Sequence, residues 1–276
     1  MLSIKKWAKK FRKQVPVYIP ILKSELLQGR TALITGGTRG LGFAIADAFL
    51  KAGAKVIITG REETSLMVAR QKLVNSTGVN ESFIQTAVLD LMRIEDIGTV
   101  FAQISQKNRI DILVNNAGVS NRMKFGEMSE EEYDTVMDTN LKGVYFISQT
   151  VSNYMLSSGI EGNILNISSS SGLRPATLPY TLSKWGIGAF TEGLAKKLIG
   201  YGIVVNAIAP GQAATTMINN EEDINNPRAP LNRLVTPVEV ANMAVILVSD
   251  LARTIVGDTI YMTGGSGLLT LDDIDY

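Results

Sequence analysis

Tyr180 and Lys184 stand four residues apart in Tyr180-Thr181-Leu182-Ser183-Lys184, a spacing that brings both onto one face of a helix. An ammonium beside a phenol favours the ionised form, which makes the tyrosine a usable acid and base. Bringing a phenol from about 10 to about 7 takes roughly 4 kcal/mol of preferential stabilisation of the phenolate. One exposed lysine supplies less than that, so a cofactor charge nearby belongs to the expectation. Alone, such a pair also suits a solvated helix face. Its neighbourhood gives it weight: Asn166-Ile167-Ser168-Ser169-Ser170-Ser171-Gly172 puts a hydroxyl cluster after an apolar strand, where open parallel sheets deliver ligands. A serine there can hold a carbonyl oxygen; the alternative is a turn that caps the strand.

Composition removes the competitors. The chain has no cysteine and no histidine, which excludes disulfides, thiolate nucleophiles, Cys/His zinc sites and imidazole triads. Carboxylates, lysines and tyrosines are left to move protons.

These groups need a scaffold, and its start is legible in Thr35-Gly36-Gly37-Thr38-Arg39-Gly40-Leu41-Gly42. The run lies between an apolar strand, Thr31-Ala32-Leu33-Ile34, and a helix whose apolar face is Leu41, Ala44, Ile45, Ala48 and Phe49, closed by Lys51 and Gly53. Glycines followed by a helix N-terminus form an anion site, and a second strand at Val56-Ile57-Ile58-Thr59 completes a dinucleotide-binding unit. Further strands are expected at 83–89, 110–114, 162–167, 203–208 and 258–262, alternating with helices. Two helix starts carry capping boxes, at Ser129/Glu132 and Thr236/Glu239. The pattern predicts an α/β fold: a doubly wound, Rossmann-type parallel sheet with helices on both faces, in a single domain. With 276 residues, 45% of them hydrophobic, one such domain is the economical reading. The stretch from Ala214 to Val235 is too long for a simple connection and reads either as a substrate lid or as a solvated insertion.

Together these residues resemble the short-chain dehydrogenase/reductase family, in its small single-domain form, over roughly residues 29–267. Five motifs occur in the family's order: Thr35-Gly36-x-x-x-Gly40-x-Gly42, Asp90, Asn115-Asn116-Ala117-Gly118, the serines with Tyr180-x-x-x-Lys184, and Pro210-Gly211 with a threonine soon after. The resemblance implies that Tyr180 exchanges a proton with the substrate oxygen and that Lys184 lowers its pKa and binds the nicotinamide ribose. Ser169 orients the carbonyl, with Ser168 or Ser170 as alternatives, and Asn140 supports a proton-relay water. It places Gly36, Thr38, Arg39, Gly40, Leu41 and Gly42 at the pyrophosphate turn, Asp90 and Leu91 at the adenine, and Asn116, Ala117 and Gly118 beneath the adenosine ribose. Pro210, Gly211, Ala213 and Thr215 fall near the nicotinamide carboxamide.

Gly60-Arg61 follows the second strand and Arg39 lies inside the turn. Two guanidiniums suit a 2′-phosphate, so NADP(H) is expected over NAD(H). The reading is an oxidoreductase transferring hydride between NADPH and a ketone or secondary alcohol of the 3-oxoacyl or sugar/polyol type. A dinucleotide-binding sensor with little catalysis is the alternative. Arg174, Met217 and the 217–234 segment are the expected sources of selectivity. The family also implies a homo-oligomer, usually a tetramer.

Residues 1–28 form a basic extension before a catalytic domain at 29–276. Lys5, Lys6, Lys9, Lys10, Arg12 and Lys13 precede the first acidic residue, Glu25, while Ile4, Trp7, Ala8 and Phe11 share one helical side. A solvated or subunit-packing arm, a partner-protein contact and an anionic membrane surface are the three readings. No motif supports nucleic-acid binding, and no bilayer-spanning stretch or secretory signal is visible, so a cytoplasmic location is expected.

Overall fold

A computed structural model describes residues 24–120, 124–215, 224–227 and 229–267. Seven strands and seven α-helices alternate along it. They are β1 (Thr31–Ile34), α1 (Gly40–Lys51), β2 (Lys55–Gly60), α2 (Glu63–Thr77), β3 (Ile84–Val88), α3 (Ile94–Ser105), β4 (Ile112–Asn115), α4 (Glu130–Met137), α5 (Gly143–Ser157), β5 (Asn163–Ile167), α6 (Pro179–Leu198), β6 (Val204–Pro210), α7 (Pro237–Val248) and β7 (Thr259–Met262). The strands form one sheet in the order β3-β2-β1-β4-β5-β6-β7, and every neighbouring pair is parallel. The expected doubly wound sheet is what the chain adopts.

Alternation along the strands divides the core. Ala32 and Ile34 of β1 point into the cluster that holds α1, α2 and α7. Leu33 between them joins the opposite cluster, with α3, α5 and α6. Successive strand side chains face opposite ways, so a strand buried on both faces must be apolar throughout. This is why β1 and β4 are buried at every position. The chain leaves β3 at one edge and returns as β4 on the far side of β1. The sequence order reverses there, and such a switch point opens a crevice at the carboxyl ends of β1 and β4.

Both capping boxes form, Ser129 with Glu132 on α4 and Thr236 with Glu239 on α7. The long helix expected after Ser129 is not continuous. A π-helical turn, Asp138–Lys142, separates α4 from α5. In the Ala214–Val235 stretch the described residues form a narrow pin, where Asn225 bridges Arg233 and Leu234 N–H donates to the Ile224 carbonyl at 2.7 Å. Met217 and the basic extension up to residue 23 lie outside the described residues. Among those described, no helix is long and apolar enough to cross a membrane, and no acidic cluster fit for a metal occurs.

Candidate active site

The glycine turn is built against β4. Gly36 has φ +64°, and a Cβ there would lie 2.9 Å from the Ala117 Cα; a Cβ on Gly42 would stand 2.4 Å from both the Asn116 Nδ2 and the Gly36 carbonyl. Glycine at 36 therefore answers backbone conformation and close approach together, whereas Gly42 is required by packing inside the protein. Asn116 donates from Nδ2 to the carbonyls of Thr35 (3.0 Å) and Gly36 (2.9 Å). The buried Thr35 hydroxyl accepts from the N–H groups of Asn116 (3.0 Å) and Ala117 (3.1 Å). The turn and the end of β4 are thus locked to each other. Asn116 braces the turn.

Tyr180 and Lys184 do share one face of α6, but the lysine is not exposed. Its side chain is buried, its ammonium donates to the Ile167 carbonyl at 2.9 Å, and it lies 5.7 Å from the centre of the Tyr180 ring. Burial drives its pKa down to about 8. The Tyr180 phenol moves the other way: burial raises its pKa, and a hydrogen bond with Ser169 opposes part of that rise. For both groups burial is the largest cause of the shift.

The three candidate serines differ in their partners. Ser168 is buried and its hydroxyl donates to the Lys184 carbonyl at 3.1 Å. Ser169 accepts from Ser171 N–H at 3.1 Å and reaches Tyr180. Ser170 opens the 3-10 turn Ser170–Leu173. Asn140 sits in the π turn and is 1% exposed, so it is not on a solvated face. Its Oδ1 accepts from Val119 N–H and its Nδ2 donates to the Val119 carbonyl, both at 2.8 Å. A Cβ on Gly118 would be 3.3 Å from Asn140 Oδ1 and 3.8 Å from Lys184 Nζ. Asn140, Gly118 and Lys184 therefore converge at the end of β4.

The remaining expected residues lie at or after strand ends and in the loops that follow. Asp90 accepts from Met92 N–H at 3.0 Å, closing a turn after β3, with Leu91 buried beside Gly143. Gly211 N–H donates to the Met262 carbonyl at 2.9 Å, following Pro210 at the end of β6. Ala213 bridges Val235, and the Thr215 methyl would lie 3.6 Å from a Cβ on Gly40. Thr38 lies against Gly60, where a Cβ would meet its methyl at 2.9 Å. Arg39 and Arg61, the residues that follow Thr38 and Gly60, are both exposed. Past the serine turn, Leu173, Leu231, Leu234, Val235, Tyr261 and Met262 wall a cavity of about 580 Å³.

Residues 36–267 match a family model described as enoyl-(acyl carrier protein) reductase. A 3-oxoacyl-[acyl-carrier-protein] reductase from Aquifex aeolicus is 36% identical over 246 residues, 87% of this chain and 98% of that protein. A gluconate 5-dehydrogenase from Gluconobacter oxydans is 34% identical over 248 residues, 87% and 95% of the two chains. Among solved structures, a single-substitution variant of actinorhodin polyketide ketoreductase with NADPH superposes with a TM-score of 0.80 at 30% identity, covering 89% of this chain and 100% of that one. The chain belongs to the short-chain dehydrogenase/reductase family. It is an oxidoreductase of that family, acting on CH–OH and keto groups.

The turn of this short-chain dehydrogenase/reductase fits a dinucleotide phosphate. The first helical turn of α1 contains no acidic residue, and Arg39 at its N-cap makes no side-chain cap bond, unlike the boxed starts of α4 and α7. The N–H groups of Gly40, Leu41 and Gly42 are thus left for an external anion, aided by the helix dipole. Sequence reasoning missed the layer below. Asn115 donates to Ser148 Oγ and Asn166 Oδ1, both at 2.8 Å, and Asn166 donates to Thr191 Oγ1 at 2.9 Å. Asn115 and Asn166 are partners in the β4–β5 register. The polar chain ties α5, which follows Asn140, to α6, which carries Tyr180. Its signal was available: two asparagines, poor strand formers, at or near the ends of largely apolar strands.

Proposed function

We propose that this chain is an NADPH-dependent reductase of 3-oxoacyl thioesters, with Tyr180 as the proton donor to the carbonyl oxygen. The observation that carries the reading is the meeting of Tyr180 and Lys184 on one face of α6, with the lysine buried, its ammonium on the Ile167 carbonyl at 2.9 Å and 5.7 Å from the centre of the Tyr180 ring. Bound NADPH supplies the hydride. Ser169 and Tyr180 together hold the substrate oxygen. Tyr180, kept neutral by burial, gives its proton as charge develops there. Lys184, fixed at the Ile167 carbonyl, is placed to meet a ribose hydroxyl and to pass a proton toward the phenol. The Asn140 amide is engaged with Val119 on both sides, so a relay water hangs from its main chain in the π turn.

The leucine, valine and methionine side chains that wall the cavity beyond Leu173 suit an acyl chain, although Arg233, Glu239 and Thr263 also line it. The test is NADPH consumption with 3-oxoacyl thioesters of increasing length and with keto-sugars. We expect kcat/KM to climb with chain length. Tight NADPH binding without turnover of any ketone would instead support the sensor reading.

Arg39 and Arg61 supply the preference for the 2′-phosphate. A charge-assisted hydrogen bond is worth about 1.5–3 kcal/mol, so Arg61→Ala should weaken NADPH about 10- to 100-fold and leave NADH nearly unchanged, as read by fluorescence titration. Equal losses for both nucleotides would remove Arg61 from this role. The reading includes a cytoplasmic homo-oligomer, a tetramer by family resemblance, with the basic extension as a candidate subunit-packing arm. Mass measurement with and without residues 1–28 tests it.

A further inference from the structure

We infer that Trp185 is a positioning residue, a strap that holds the serine-bearing turn at its working distance from Tyr180. The inference rests on the ketoreductase reading above. Trp185 follows Lys184 directly, so α6 presents Tyr180 and Lys184 to the crevice and Trp185 to the adjoining loop. Its indole Nε1 donates to the Arg174 carbonyl at 2.8 Å. Among the described residues this is the one side-chain hydrogen bond made to residues 172–178, the stretch that separates the Ser169 turn from α6.

Two further contacts reach the same level of α6. Ser168 Oγ donates to the Lys184 carbonyl at 3.1 Å, and a Cβ on Gly172 would lie 3.0 Å from that carbonyl oxygen. Both tie down the near end of the turn. The far end, after Leu173, is tied by the indole and by the main-chain bond from Arg174 N–H to the Ser171 carbonyl at 3.1 Å. Ser169 caps this same turn through Ser171 N–H. Movement of Arg174 is therefore passed through Ser171 to the hydroxyl that shares a bond with Tyr180. The indole is half exposed and fills no core space, so its role is the bond and the cover it gives the loop.

The test uses the full chain carrying Trp185→Phe, which keeps a ring and removes the donor. We expect kcat/KM for an acetoacetyl thioester to fall about tenfold, mostly in kcat, because the serine acts on the reacting oxygen. NADPH affinity should stay within twofold. Amide hydrogen exchange at residues 171–174 should quicken about tenfold, with β4 and β5 unchanged. Trp7 and Trp185 are the two tryptophans of the chain, so in a Trp7→Phe background the emission of Trp185 should shift saturably with thioester in the presence of NADP+. This readout does not depend on the folding of the Trp185 variant. Unaltered kcat/KM and exchange in a folded variant, a parallel loss of NADPH binding, or emission blind to thioester would each overturn the strap. Should the unaltered chain reduce no ketone, the exchange result still decides the strap, and the ketoreductase reading alone fails.

Discussion

Tyr180→Phe is expected to lower kcat/KM for ketone reduction about 10³-fold, while NADPH binds as before. A positioned general acid is worth roughly 10²–10⁴ in rate, and 10³ corresponds to about 4 kcal/mol of transition-state stabilisation. Phenylalanine keeps the ring that packs beside Lys184 and removes only the hydroxyl. That hydroxyl is a desolvated polar group whose pKa burial has raised, and Ser169 keeps its bond from Ser171 N–H without it. The melting temperature should therefore move by no more than about 2 °C, or under 1 kcal/mol for a chain of this size. In the unaltered enzyme, reduction needs the phenol protonated, so its rate should hold through neutral pH and decline as pH rises through the Tyr180 pKa. Steady-state rates from pH 6 to 10, with nucleotide titrations on the variant, check both. A variant that retains a tenth of the activity would assign the proton to another group.

Lys184→Met should produce the opposite combination, a protein that melts higher and turns over far more slowly. Burial alone brings the ammonium from its usual 10.5 to about 8, a disadvantage of about 3 kcal/mol for the charged folded state, at 1.36 kcal/mol per pKa unit. The sign follows from proton counting. Between pH 8 and 10.5 the unfolded chain binds more protons at this lysine than the folded one, so stability rises with pH across that window. Below pH 8 the penalty is complete. Methionine fills a similar volume without charge, so the nucleotide-free variant should gain on the order of 5 °C at pH 7. Part of the gain is offset by the lost bond to the Ile167 carbonyl. Activity should fall about 10²-fold or more as the cation is lost from the site. Calorimetry at pH 7 and pH 10 tests the account: the advantage of the variant must shrink at the higher pH, and a variant less stable at both would refute it.

The crevice was legible because its parts are local. Gly36 through Gly42 sit between a strand and a helix of plain periodicity, and Tyr180 and Lys184 are neighbours by helical geometry alone. The strands also announced themselves, since burial on both faces leaves mostly apolar residues in β1 and β4, with Thr31 and Asn115 at their ends. What the sequence concealed depends on tertiary neighbours. Lys184 reads as a charge on a helix face, and only the tertiary structure shows that it is buried with its ammonium on the Ile167 carbonyl. Asn140 reads as a weak helix residue until the π turn places it on Val119. Trp185 offers no signal either, for its partner is a main-chain carbonyl eleven residues earlier. The different partners of Ser168, Ser169 and Ser170 are likewise something no spacing reveals.

The turn Asp138–Lys142 closes i to i+5 bonds, one residue more than an ordinary helix would spend. That surplus residue is what turns Asn140 inward to grip the loop after β4. Deleting Thr139 would let the chain wind evenly from Glu130 to Ser157 and swing the following side chains by about 100°. The shortened protein would be the tidier helix and the poorer catalyst, and sustained turnover by it would show the irregularity to be ornamental. Selection for helix regularity and selection for chemistry thus oppose each other at this one position.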